Sequence, residues 1–134
     1  MPKEDYLLKY LEKLSRVIAA MLGFRDNGFP DDGLRLADEM YKEMLNADLD
    51  ELTSMPVDLF IERVRKENYN ASYLQALAQL THETANSFFS KGNETIAQSF
   101  YIKTLQIYYL LNEKDRTFSF ERELIITELN RIIK

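Results

Sequence analysis

Side chains able to move protons, attack a carbonyl or hold a metal are few in this chain. It contains no cysteine, which removes disulfides, thiolate zinc sites, iron–sulfur clusters and a cysteine nucleophile. Its single histidine opens the run His82-Glu83-Thr84-Ala85-Asn86, the first two letters of the zinc-protease helix motif. That motif needs two imidazoles one turn apart to bind the metal while the glutamate acts as base. Asn86 stands where the second imidazole belongs, so no metal site is expected and the run reads as a polar helix face. A glycine-flanked serine elbow is absent, as are the phosphate-cradling patterns GxxxxGKS/T and GxGxxG, so no catalytic residue and no cofactor is expected. Asp26, Asp31, Asp32, Asp38 and Glu39 lack the alternating oxygen ligands and the terminal bidentate glutamate of a calcium loop; they read as charges at a helix start.

Composition and charge narrow the partners. The chain has 134 residues, 46% of them hydrophobic and 29% charged, enough for one globular domain over 1–134 with a core that needs no staples. Seventeen basic residues face twenty-two acidic ones, for a net charge of −5. Residues 1–67 hold ten basic and fifteen acidic side chains, and nine carboxylates lie between Asp26 and Glu51 beside only Arg35 and Lys42. Such a surface repels phosphate backbones, so nucleic-acid binding is not expected. No apolar run reaches 18 residues and no signal peptide is visible. The expectation is a cytoplasmic protein without a membrane segment.

Helical periodicity then supplies the elements. Leu7, Leu11, Leu14, Ile18 and Met21 mark a helix over 4–23, broken at Gly23. Leu34, Ala37, Met40, Tyr41, Met44 and Leu45 mark a second over 31–46, entered through Pro30. After a short turn over 48–53 comes a connecting helix over 56–66 with Val57, Phe60, Ile61 and Val64 on one face. A long helix carries Tyr73, Leu74, Leu77, Thr81, Thr84, Ala85 and Phe88 and closes at Gly92; its partner, capped by Asn93, carries Ala97, Phe100, Tyr101, Leu105, Tyr108 and Leu111 up to 112. A last helix over 118–133 offers Phe120, Leu124, Ile125, Leu129 and Ile132. No segment alternates as a strand. The predicted fold is all-α: about six helices, in antiparallel hairpins over 4–46 and 70–112 with a capping helix over 118–133.

The stretch ANSFFSKGNETIAQSFYIKTLQIY resembles a tetratricopeptide-type hairpin. Ala85 and Ala97 take the small positions, Phe88 and Tyr101 the aromatic ones, and Gly92 the turn. Thr81 and Thr84 depart from the usual tryptophan and leucine, Thr104 from alanine and Tyr109 from proline. The first two helices fit the same register through Phe24, Gly28, Gly33, Ala37 and Leu45. Gly28 and Gly92 are 64 residues apart rather than the 34 of an uninterrupted array, so the connecting helix is an insertion. The whole is similar to small bacterial tetratricopeptide-like helical proteins. The resemblance implies a right-handed stack, with a plain bundle as the alternative, and a concave face lined by Gln79, His82, Glu83, Asn86 and Phe89 that takes a protein segment. Asn86 would meet a peptide backbone through its carbonyl and amide, and His82 would donate or accept.

The aromatic pairs Phe88-Phe89, Phe100-Tyr101 and Tyr108-Tyr109 cannot all point into one groove, so one member of each should face elsewhere. With Tyr6 and Tyr10 beside the leucine seam, they offer a second reading, a homodimer without a groove ligand. A third reading is a small-molecule binder or enzyme with its site between helices. The first expectation is a non-enzymatic interaction module.

Overall fold

The computed structural model describes the main chain of residues 3–134 and the side chains of residues 7–134. Among the described residues seven helices follow one another: α1 (Lys3–Asp26), α2 (Pro30–Leu45), α3 (Leu49–Ser54), α4 (Val57–Glu67), α5 (Ala71–Ser90), α6 (Glu94–Lys114) and α7 (Phe120–Ile132). Among the described residues there is no strand, and the chain is all-α. Asp48, Asn70, Asn93 and Ser119 cap α3, α5, α6 and α7 by accepting the main-chain N–H three residues on.

The hairpins α1–α2 and α5–α6 are closed by one device. Gly28 and Gly92 sit at φ +86° and +88°, a region that favours glycine. Their N–H groups bond the carbonyls of Arg25 and Phe89, and the residues after them, Phe29 and Asn93, reach back to Phe24 and Phe88. Both turns are therefore Schellman closures, which satisfy carbonyls that a helix end leaves open. Gly23, expected to end α1, does not; the helix runs one further turn to Asp26. A helical glycine lowers stability by about 1 kcal/mol but ends a helix only where other donors take over its carbonyls, and here those donors come at Gly28.

Helix α5 packs against α1, α2 and α6, and its contact with α6 is the most extensive in the molecule. The apolar sets expected for α2, α5 and α6 are buried throughout. Gly33 brings α2 close to α1, since a Cβ there would lie 3.1 Å from the Met21 Cα. Three threonines that depart from the repeat pattern are interior hydrogen-bonding groups: the Tyr41 hydroxyl lies 2.8 Å from the Thr84 hydroxyl, and Thr81 and Thr104 meet across α5 and α6 at 2.8 Å. Helix α7 is rotated only in part from the expected face: Leu129 is buried and Ile125 and Ile132 pack against the core as expected. Arg122, Ile126 and Leu129 turn inward, while Phe120 and Leu124 are exposed. The rotation follows from Arg122, whose guanidinium donates to Asn112 Oδ1 and Asp115 Oδ2, each at 3.0 Å.

A lysine ammonium also lies in the core. Lys103 is 1% exposed, its ammonium donating to Ser99 Oγ at 2.6 Å and lying 5.2 Å and 5.9 Å from the ring centres of Phe100 and Phe60. Burial pushes its pKa down to about 8. Below pH 8 the folded state carries a desolvated charge. Between pH 8 and the unfolded value of 10.5 the unfolded chain binds the extra proton, so stability rises with pH in that window. Urea unfolding at pH 7.5 and 9.5 should show this gain. Lys103→Met should abolish it and raise stability at pH 7 by about 1–2 kcal/mol.

Candidate functional site

All five candidate residues lie on α5 at the expected steps, but the stripe divides. Gln79 is exposed and does not line the cleft described below. Glu83 is buried and turned toward α1, where Arg25 Nε donates to its Oε1 at 2.6 Å and a second guanidinium nitrogen lies 3.4 Å from its Oε2. The Asn86 amide nitrogen faces the same carboxylate at 3.4 Å, and its Oδ1 accepts from the Tyr101 hydroxyl at 2.6 Å. His82 stands edge-on to Tyr101, ring centres 5.9 Å apart. Arg25, Glu83, Asn86 and Tyr101 thus form one relay, anchored by an ion pair and ending beside an imidazole. Asn86 therefore has its carbonyl and its amide already engaged from within the chain, with one amide hydrogen and one lone pair left over for anything outside.

In front of the relay lies a cleft of about 730 Å³. His82, Asn86 and Phe89 form one wall, Glu94, Thr95, Gln98 and Tyr101 of α6 the floor, and Glu128, Arg131 and Ile132 of α7 with Lys134 the far side. The volume falls within the range of ligand sites. Phe89 is 54% exposed on the rim while Phe88 is buried, and Tyr109 and Tyr108 divide in the same way. Phe100 and Tyr101 are both buried, because α6 is covered on two sides. Burial holds the His82 pKa below its ordinary value, an effect that Glu83 opposes and Arg25 reinforces. Burial likewise raises that of Tyr101. At neutral pH the cleft presents an uncharged imidazole and a phenol, both able to hydrogen-bond. Among the described residues no group of three or more histidine, cysteine, aspartate or glutamate side chains could hold a metal ion.

The leucine seam of α1 faces inward, with Leu14 and Met21 fully buried. Tyr10 stacks on Tyr73 at 5.6 Å, and Tyr73 on Tyr69 at 5.3 Å, so this part of the proposed self-association surface is used within the chain. The side chain of Tyr6 lies outside the described residues. Sequence reasoning missed Arg25, which read as a loop residue, and Gln98. The spacing of Glu94, Gln98 and Tyr101 on α6 was the available signal for the cleft floor. No family model, no curated protein and no solved structure matches the chain.

Two measurements check this geometry. Arg25→Met leaves a buried carboxylate without its cation and should lower stability by about 2 kcal/mol, an effect that adding Glu83→Gln should largely cancel. An NMR titration of His82 should give a midpoint below 6.5. Because the unfolded imidazole takes up its proton first as the pH falls through 6.5, stability should decline from pH 6.5 toward pH 5, and His82→Phe should flatten that decline.

Proposed function

We propose that the protein is a non-enzymatic helical interaction module whose cleft between α5, α6 and α7 takes an extended segment of another protein. The observation that carries this reading is the fixing of the cleft's polar side chains from behind. Asn86 and Tyr101 are held by Glu83 and Arg25 before any ligand arrives, with the exposed Phe89 ring on the rim. Side chains ordered in advance lose little entropy on binding, which is how a modest cleft gains affinity. The two hairpins, closed by the same glycine turn, accord with a tetratricopeptide-like stack interrupted by α3 and α4. No described helix is long and apolar enough to cross a membrane, and the proposal places the protein in the cytoplasm, bound to protein rather than to nucleic acid or a cofactor.

Selection of a displayed peptide library on the immobilised protein tests the proposal. Selected peptides should lose about tenfold in affinity, roughly 1.4 kcal/mol, on Phe89→Glu and on His82→Ala, with the thermal midpoint of Phe89→Glu unchanged. Equal binding to both variants would exclude the cleft. A second reading, a homodimer, is favoured by the apolar surface of Phe118, Phe120 and Leu124, exposed by 75%, 67% and 54%. It predicts twice the chain mass by light scattering and a return to the single-chain mass on Leu124→Glu.

A further inference from the structure

At the far side of the cleft one side chain already binds a stretch of extended main chain. The N–H of Ile133 closes α7 on the carbonyl of Leu129, and Ile133 itself is extended, at φ −77° and ψ 126°. Gln98 of α6 then meets the segment with its whole carboxamide. Its Nε2 donates to the carbonyl of Ile132 at 3.0 Å, and its Oε1 accepts from the N–H of Lys134 at 3.0 Å. The carbonyl of one residue and the N–H of the next but one lie on the same edge of an extended strand. They are the pair that a single residue of a parallel neighbour engages in a β-ladder. A glutamine carboxamide carries the same donor and acceptor as a peptide group, so Gln98 acts as one residue of such a neighbour. Ile132 and Lys134 line the cleft together with His82, Phe89 and Gln98.

We propose that Gln98 is the main-chain reader of the cleft, and that residues 132–134 occupy its reading position in cis, in competition with an incoming peptide. The partner is then an extended segment that pairs a carbonyl and the next-but-one N–H with Gln98. Its preferred side chains resemble those it displaces, branched aliphatic followed by basic, with Glu94 on the cleft floor available to the cation. This inference rests on the peptide-binding reading above and adds to it the residue that reads the backbone and the segment that regulates access. A position filled about nine-tenths of the time from within weakens an outside ligand about tenfold.

The test keeps the chain whole. Lys134→Pro removes the N–H that Gln98 accepts while suiting the extended Ile133 before it, and Lys134→Ala removes the same side chain but keeps the N–H. The probe is a fluorescein-labelled, acetylated and amidated peptide with the sequence of residues 130–134, followed by anisotropy. Lys134→Pro should bind the probe about tenfold more tightly than Lys134→Ala, and adding Gln98→Leu should remove that binding. Equal affinities for the two Lys134 variants, or binding that ignores Gln98→Leu, would overturn the inference. If Gln98→Leu disturbs the fold, the wild-type chain decides by NMR: the probe should shift the Gln98 side-chain amide and the Lys134 N–H together, and failure to shift them overturns the inference. The two readings fail separately. Library peptides that bind at the Phe89 rim but ignore Gln98 and Lys134 leave the interaction module standing without its internal competitor. A chain that captures its own segment through Gln98 but selects no library peptide keeps the competitor and loses the general module.

Discussion

A carboxylate buried on a central helix needs a cation, and the placing of that cation organises this molecule. Glu83 sits on α5 among helices that exclude water, and the guanidinium that reaches it comes from Arg25, in the last turn of α1. Removing one partner of such a pair is strongly destabilising because the other remains as an uncompensated charge, so the pair fixes where α1 ends relative to α5. That explains the extra turn beyond Gly23: a helix stopped there would not carry Arg25 in its frame. The same carboxylate faces the amide of Asn86, which in turn fixes the Tyr101 hydroxyl. The cleft wall is thus a consequence of the ion pair behind it.

The rest of the α5–α6 interface follows a related logic. These helices, buried on several sides, carry hydroxyl and amine groups into the interior, where most find a partner. Thr81 meets Thr104, Thr84 meets Tyr41 and Lys103 meets Ser99 between two aromatic rings. Each threonine hydroxyl also lies within reach of a carbonyl one turn back or nearer on its own helix, so none depends on a single contact. Lys103 differs because its partner is a neutral hydroxyl. The aromatic faces of Phe60 and Phe100 attract the ammonium without neutralising it, which is why burial dominates its titration.

Much of this was legible in the sequence because it depends on local rules. Glycine at positive φ, the asparagine cap at Asn93, and apolar steps of three and four gave α2, α4, α5 and α6 nearly to the residue. What was not legible depends on pairs distant in the chain. Thr81 and Thr104 each looked like a defect in a repeat pattern, and only their meeting 23 residues apart makes them complementary. Glu83 belonged by spacing to a solvent-facing stripe, and nothing local signals that Arg25, 58 residues earlier, draws it inward. Helix α7 was misjudged by its phenylalanine and leucine. Hydrophobicity counts apolar side chains and cannot see that an arginine with two oxygen partners holds the helix by its polar side.

The two walls of the cleft are built on opposite principles, and the contrast bears on how such a site works. The α5 wall is set by a buried ion pair and a relay of hydrogen bonds to it, so displacing Asn86 would leave the Tyr101 phenol without its acceptor in a dry place. The far side is set by two neutral hydrogen bonds between Gln98 and a main chain just past a helix end, where local opening needs the least free energy. Groups that water can solvate once they part are exchanged easily. The cleft therefore opens at residues 132–134 and holds its shape at Asn86, which lets it change occupants without losing the geometry that receives them.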